Sequence, residues 1–320
     1  MRQVGRIARR IGIDVASTSH AAGVRGQSVF YASQFVLLDP AYFGANRIAL
    51  SYFHGRVSDD PTFAACADRL AREHQRISRV QVSHSAMRDF VLRSGISSDK
   101  VFLIPIGVDL GVFTARHAER RRLTRRRLGI PESAIVIGSF QKDGVGWGHG
   151  DEPKLIKGPD VLVRLVARLR ERVPELIVLL SGPARGYVKH GLSLLGIPFR
   201  HVYLERYSEM ASLYHALDLY VVTSREEGGP KAVLEAMAAG VPLVTTKVGQ
   251  AMDLVQHGVN GWMVDVGDED GLLTFSELAL RGRHLVEQVV AAARSTAEAN
   301  AYERQDPLWR SFFDGFVEWP

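Results

Sequence analysis

The sequence predicts an α/β protein made of doubly wound parallel sheets in two domains. Short apolar runs alternate with amphipathic stretches along most of the chain, the pattern of parallel α/β layers. Several of these runs, such as Ala134–Gly138 and Leu176–Ser181, are nearly continuous in Val, Ile and Leu, as strands covered on both faces must be. At 320 residues the chain is long enough for two full cores.

In the first third, strands are expected over Gly12–Ala16, Ser28–Ala32, Arg47–Phe53, Arg79–Ser83 and Val101–Ile106, with helices over Pro61–His74 and Ser85–Ser94. Pro105 and Gly107 then mark a hinge. The second unit opens with strand Ala134–Gly138. It continues through Lys157-Gly-Pro-Asp, helix Val161–Val173, strand Leu176–Ser181, a helix ending near Leu195, strand His201–Leu204 and helix Glu209–Leu217. After strand Leu219–Val222 come a glycine turn and a helix from Pro230 to just before Gly240, with the proline-first, glycine-last polarity of a helix. Strand Leu243–Thr246, the Gly249 turn, helix Ala251–His257, the Asn260-Gly261 turn and strand Trp262–Val264 follow. The tail over Tyr302–Phe316 reads as a helix. Ligands of such a sheet bind at the C-terminal ends of its strands.

Composition narrows the class. With 46% apolar and 23% charged residues the chain is globular. A single cysteine, Cys66, cannot pair internally, which fits a reducing compartment. Arg2, Arg6, Arg9 and Arg10 are not followed by an apolar core, so no signal peptide is read. Apolar runs fall far short of a bilayer span. A soluble, cytoplasmic protein is expected.

The stretch Ser224-Arg-Glu-Glu-Gly-Gly-Pro-Lys-Ala-Val-Leu-Glu-Ala-Met-Ala-Ala-Gly-Val-Pro carries the chemistry. Its helix is apolar almost all round and therefore buried. Glu235 on that helix then needs hydrogen-bond donors, and because a carboxylate only accepts, a ligand's hydroxyl groups suit it. Glu227 sits at the mouth of the turn, where Gly228 and Gly229 admit a close approach to the backbone. The combination fits an anionic polyol such as a nucleotide-sugar. The plain alternative makes Glu227 a surface residue and Glu235 a partnered core acid.

This stretch resembles the donor-site signature of family 4 of the retaining glycosyltransferases, enzymes of the GT-B fold. The Glu-x7-Glu spacing, the Glu-Gly-x-Pro turn and the Leu-Glu-Ala-Met-Ala-x-Gly-x-Pro run carry the likeness, and Pro105-Ile-Gly-Val-Asp109 adds to it. The resemblance implies two Rossmann-like domains facing a cleft: an acceptor-side domain over residues 1–112, a donor-binding domain over 113–300, and a final helix over 301–320 crossing back to the first. The first domain looks abbreviated, with only Ala21–Gly26 in the place of the family's glycine-rich loop. The family's lysine falls on Lys157, and its arginine's role passes to Lys142. Gly228, Gly229, Pro230 and the Gly249 turn complete the donor-binding set. His54, at a strand end, is the candidate for polarising the donor or the attacking hydroxyl; His84 is a weaker one. Glu227 is the candidate catalytic acid, orienting the sugar.

Other motifs weigh less. Gly144–Gly150 imitates a dinucleotide fingerprint but has His149 where glycine is required, which disfavours a dehydrogenase; it reads instead as a flexible flap over the donor with Trp147 as its shield. Asp268-Glu269-Asp270 and Asp59-Asp60 are helix starts. No His/Cys cluster points to a metal, the family manages the diphosphate without one, and no cofactor is expected beyond the nucleotide-sugar substrate. The basic run Glu119–Arg127 reads as a solvated helix with Leu123 and Leu128 as its apolar stripe, in preference to a patch for anionic lipid that would bring weak peripheral contact at the inner membrane face. No aromatic residues interleave with its arginines, so nucleic acid is not an expected partner.

The resemblance implies transfer of a hexose-type sugar, with retention, to a hydroxyl acceptor that is a carbohydrate, a lipid-linked species or a small molecule. Domain closure would expel water. Two rivals stand beside it: a non-catalytic nucleotide-sugar-binding subunit that regulates a partner transferase, and an epimerase of the same architecture.

Overall fold

The computed structural model describes residues 2–18, 23–39, 41, 43–55 and 60–319. The chain divides into two compact units, one of Met1–Gly107, Glu226–Gly229 and Asn300–Pro320, the other of Val108–Arg225 and Pro230–Ala299.

The first unit opens with a helix rather than the strand expected over Gly12–Ala16. Helix α1 (Arg2–Arg10) buries Ile7 and Ala8 while Arg6, Arg9 and Arg10 stay exposed, and residues 13–18 have no regular structure. Then come β1 (Ser28–Tyr31), β2 (Arg47–Ser51), α2 (Pro61–Glu73), β3 (Ile77–Val82), α3 (Ser85–Arg93) and β4 (Val101–Leu103). The four strands are parallel in the order β1-β2-β3-β4. Asp60 caps α2 through the Thr62 amide (2.7 Å), with Pro61 at the first helical position. Residues 21 and 22 of the expected glycine-rich loop, and Asp59, lie outside the described residues.

The second unit begins with α4 (Ala118–Arg127), β5 (Ile135–Ser139), α5 (Pro159–Arg172), β6 (Leu176–Ser181), α6 (Gly186–Leu194), β7 (Phe199–Val202) and α7 (Met210–His215). It continues through β8 (Leu219–Val222), α8 (Lys231–Ala239), β9 (Leu243–Thr246), α9 (Ala251–Leu254), β10 (Trp262–Val264), α10 (Glu269–Arg281) and α11 (Arg283–Ala299). All six strands are parallel in the order β10-β9-β8-β5-β6-β7. Counted within the unit this is 3-2-1-4-5-6, the Rossmann order, whose direction reverses between β5 and β8. β6, β8 and β9 are buried at every position, as the unbroken apolar runs demand.

The basic helix α4 departs from expectation. Leu123 is 57% exposed, and the buried positions are Thr124 and Arg125. The Arg125 guanidinium donates to Ala216 O, Glu132 O, Ala134 O and the Asp218 carboxylate. A buried arginine so completely bonded fastens α4 to the sheet. The remaining helix, α12 (Asp306–Phe313), belongs to the first unit, where Trp309 and Phe312 pack edge-on to Phe30. The tail is thus shorter than the helix read over Tyr302–Phe316, because Tyr302–Arg304 form a separate 3₁₀ turn. No described helix is long and apolar enough to cross a membrane.

Candidate functional site

In a sheet of this order the ligand crevice is expected beyond the C-terminal ends of β5 and β8, where the direction reverses. The residues that follow those strands are stitched together there. Gln141 Nε2 donates to Lys157 O (2.8 Å), Thr223 Oγ1 to Gly158 O (2.9 Å), and the Arg225 amide to Ile156 O (2.8 Å). Gly158, with φ +63, presses so closely on β8 that a Cβ would lie 1.9 Å from Thr223 O; only glycine fits that approach in that conformation. The Arg225 guanidinium grips Asp160 with two bonds (2.8 and 2.7 Å), tying the first turn of α5 to the end of β8. This fork holds the Asp160 carboxyl down at about 2. The Lys157–Gly158 corner is therefore rigid, at the mouth of α5, whose N-terminus has no side-chain cap.

On helix α8 lies Glu235, only 6% exposed. Both carboxylate oxygens are engaged: Tyr207 Oη donates to Oε1, and Tyr214 Oη donates to Oε2 (2.9 Å). The expectation that ligand hydroxyls alone would satisfy this acid is corrected, since two tyrosines already do so in part. A carboxylate has about four acceptor positions, so roughly half remain. The two tyrosines differ in kind. Tyr214 is fully buried among Phe113, Phe140 and Tyr220; Tyr207 is 50% exposed, with Lys231 Nζ 5.1 Å from its ring centre. Burial pushes the Glu235 carboxyl up, and the tyrosine bonds and Lys231 pull the other way.

A second buried pair braces the same strand ends. Arg185 Nη1 donates to Ser139 O, Gln141 O and Ser181 O (2.7, 2.8 and 3.0 Å). Its Nε lies 2.9 Å from Asp143 Oδ1, both side chains wholly buried. Coulomb attraction across that contact holds the pair. Burial outweighs it and raises the Asp143 carboxyl to about 6.

The other expected residues fall as follows. Lys142 Nζ lies 4.1 Å from the Trp147 ring centre, a cation–π contact. The Gly144–Gly150 insertion is a pinned hairpin, not a loose flap: Val145 N donates to Glu152 O, Lys154 N to Asp143 O, Gly186 N to His149 O and Tyr187 N to Gly150 O. Pro230 is the N-cap of α8 rather than its first residue. Gly249 is left-handed (φ 50), and α9 is a single turn ending at Leu254, its amides from Ala251 to Leu254 spent on Val248, Gly249 and Gln250 carbonyls. Asp268 caps α10 through the Gly271 amide (2.8 Å).

In the first unit, Glu226–Gly229 packs against the residues that follow β2 and β3. Glu226 Oε1 accepts from Gly55 N (3.3 Å), and Gly228 O accepts from Ser83 Oγ (2.9 Å). What approaches Gly228 is protein: a Cβ there would lie 2.5 Å from Phe53 O. Glu227 is half-buried. His54 packs edge-on to Phe63 (5.3 Å) and Phe35 (6.2 Å). His84 is buried and caps α3, Nδ1 accepting from Met87 N (3.4 Å). Among the described residues no group of three or more His, Cys, Asp and Glu could hold a metal.

Residues 153–296, which include the Lys157–Gly158 corner, α8 and the reversal of strand order, match the family of glycosyl transferases, group 1. Over this stretch the chain belongs to the group 1 glycosyl transferases. D-inositol 3-phosphate glycosyltransferase of Salinispora arenicola is 31% identical over 229 residues, 67% of this chain and 47% of that protein. Its counterpart in Stackebrandtia nassauensis is 35% identical over 184 residues, 53% of this chain and 39% of that protein. The chain thus spans less than half the length of these curated relatives. Among solved structures, Anabaena HepE in complex with UDP and glucose superposes with a TM-score of 0.75 at 19% identity, covering 98% of this chain and 83% of that one. Sucrose-phosphate synthase from Thermosynechococcus elongatus gives 0.67 at 20% identity, covering 89% and 73%. The fold of the group 1 glycosyl transferase is accordingly GT-B, with two parallel-sheet α/β units.

Four features escaped the sequence. Tyr207 and Tyr214 lie 28 and 21 positions from Glu235, and Asp160 lies 65 from Arg225. No spacing rule links such pairs. Asp143 and Arg185 carried one signal: each directly adjoins a strand-end turn, where a charged residue must be either solvated or partnered.

Proposed function

We propose that this group 1 glycosyl transferase moves a sugar from a nucleoside diphosphate to a hydroxyl acceptor, with retention of configuration and without a metal. One observation carries the reading: at the Rossmann reversal of the second unit, a nearly buried carboxylate is held by two tyrosines and keeps acceptor positions to spare. Ribose hydroxyls are donors of the kind Glu235 can still take. Lys157, at the mouth of α5, supplies fixed positive charge for the departing diphosphate. Lys142 adds a second cation. Pro230 and Gly249 shape the turns beside it, and Gly228 and Gly229 that of the Glu226–Gly229 segment. Glu227 and His54 stand in the first unit, and their assignment to the transferred sugar and the hydroxyl rests on the motif resemblance. The relatives named as D-inositol 3-phosphate glycosyltransferases, and HepE with UDP and glucose, make a polyol phosphate and a uridine diphosphate sugar the first acceptor and donor to try.

Thermal-shift screening against nucleoside diphosphates and their sugars tests the donor half, because a ligand that binds the native state raises Tm by mass action. Nucleotide release that depends on the acceptor, with the product's anomeric configuration read by NMR, tests the rest. A donor that binds but never turns over with any hydroxyl acceptor would replace transfer with a regulatory binding role. A changed sugar configuration in the absence of acceptor would replace it with epimerisation.

A further inference from the structure

Beyond the ends of β6 and β7 lies a groove of about 540 Å³, lined by Trp147, His149, Pro183, Lys189, His201 and Tyr203. Two features separate it from ordinary surface. Trp147 is 82% exposed and Tyr203 70% exposed, an unusual outlay of aromatic surface on one groove. Both are also presented by ordered backbone. Trp147 tips the hairpin that is pinned to α6 and to Asp143 by the amide bonds described above. The hairpin is seated on Ala184 so closely that a Cβ at Gly150 (φ +79) would lie 2.3 Å from the Ala184 carbonyl carbon. Ala184 itself has φ +53, the sole non-glycine residue with positive φ among the described residues. Backbone strain of this kind gathers at binding and catalytic sites.

The polar lining is mixed in sign and function. His201 Nε2 donates to Gly182 O (2.8 Å), which leaves Nδ1 as an acceptor; burial lowers the affinity of this ring for a second proton. His149 Nδ1 lies 3.0 Å from Asp151 Oδ1. Lys189 is a pure donor. A pyranose ring offers a C–H-rich face that stacks on an aromatic ring and a rim of hydroxyls that both donate and accept. Two exposed aromatic rings with donors and acceptors between them match that chemistry. A nucleotide's diphosphate would ask instead for converging cations, and the Arg185 guanidinium at this groove is spent on the Ser139, Gln141 and Ser181 carbonyls.

We propose that this groove binds a carbohydrate chain, through stacking on Trp147 and Tyr203, at a site separate from the nucleotide crevice between β5 and β8. The proposal does not depend on the transferase reading, since it concerns a different part of the second unit. Its pre-set geometry limits the ordering cost of binding.

The test uses the full chain and a panel of linear gluco- and manno-oligosaccharides, with sulfated counterparts, followed by tryptophan fluorescence and by saturation-transfer NMR. At least one oligosaccharide is expected to shift the tryptophan emission, and the shift should vanish in Trp147→Ala, since Trp262 and Trp309 are 1% and 2% exposed and Trp319, 37% exposed, belongs to the first unit. Trp147→Ala and Tyr203→Ala should each weaken that binding by about 30-fold, the loss typical of a central aromatic anchor. UDP affinity is measured on the same proteins. Oligosaccharide binding lost in Tyr203→Ala, with UDP binding kept, establishes the separate site. Joint loss of both in Tyr203→Ala, binding unchanged in both variants, or no binding by any member of the panel at millimolar concentration overturns the proposal.

Discussion

The sharpest test of the nucleotide crevice couples one side chain to two ligand atoms. Glu235 has roughly two acceptor positions left after Tyr207 and Tyr214 take theirs. A hydrogen bond to a charged group contributes about 1.5–3 kcal/mol net. If both ribose hydroxyls use the free positions, removing the acceptor costs about 3–6 kcal/mol, or roughly a 10²–10⁴-fold loss of affinity. If one hydroxyl merely replaces the half-exposed Tyr207, the net falls to about one bond, roughly 10–100-fold. The assay is a calorimetric double-mutant cycle. Wild type and Glu235→Gln are each titrated with the best-binding nucleoside diphosphate and with its 2′,3′-dideoxy analogue. Gln keeps the volume and one carbonyl acceptor, so Tyr214 is not left orphaned; Ala would leave it so, at a stability cost of about 1–3 kcal/mol. A coupling of about 1.5 kcal/mol or more between the side chain and the diol is expected. A dideoxy penalty equal in both proteins, within about 0.5 kcal/mol, would refute the assignment. The same bond sets a pH dependence. Burial raises the Glu235 carboxyl, and the diol needs the ionised form, so ribonucleotide affinity should be full at high pH. It should fall as pH drops through a value above the ordinary Glu range of about 4.3, while the dideoxy analogue's affinity stays flat there. For folding the sign is opposite: a raised carboxyl favours the native state below its unfolded value and loses that contribution as pH rises through the folded one.

Three further outcomes are expected. Asp160→Asn should destabilise the fold at neutral pH by about 1 kcal/mol, less than the shift to about 2 would give unscreened because Arg164 and Arg225 are partly exposed. Since a lowered carboxyl contributes only above its unfolded value, the difference should vanish in denaturation curves as pH falls from about 4 towards 2. Gly158→Ala combines a left-handed backbone with a Cβ 1.9 Å from Thr223 O, and a Tm loss equivalent to about 3 kcal/mol or more is expected; a near-neutral result would mean the corner is not as packed. Lys157→Met should weaken nucleoside diphosphate binding while sparing the nucleoside, and equal loss for both in calorimetry would remove Lys157 from the phosphate role.

Much of the second unit was legible because most of its strand positions are buried. β6, β8, β9 and β10 carry short, mainly apolar runs, and their observed limits match the sequence limits residue for residue. Strand order was not legible, for pairing across a sheet leaves no local mark. The first unit misled where charge hid packing. Four arginines in the first ten residues obscured the buried Ile7 and Ala8 of α1, and the stretch read as a strand over Gly12–Ala16 joins neither sheet among the described residues. On α4 the apolar-stripe rule put Leu123 inward, yet the sheet takes Arg125, because the Ala134, Glu132 and Ala216 carbonyls and Asp218 offer five bonds that a leucine could not use.

The candidate site shows the same division more sharply. A helix with no polar face announced that Glu235 is buried, and it is. What the helix could not announce is who meets the charge, because donors to a buried acid come from whichever elements the fold lays against it. Here they are the 3₁₀ turn carrying Tyr207 and helix α7 carrying Tyr214. That pairing changes the physical account of the site. An acid waiting for ligand hydroxyls alone would be costly enough to bury that it would stay protonated until the ligand arrived. Tyr214 as a fixed donor and Tyr207 as an exposed one oppose part of that burial cost. Binding then requires only that hydroxyls add to the remaining positions or displace the outer tyrosine. Tyr207→Phe separates these two routes. If the diol adds, the variant loses a supporting donor and its ribonucleotide affinity drops; if the diol displaces Tyr207, the variant removes a competitor and the affinity rises by about 5–10-fold, one modest hydrogen bond. Unchanged affinity, with the Glu235 coupling intact, would show that Tyr207 Oη has no part in the crevice.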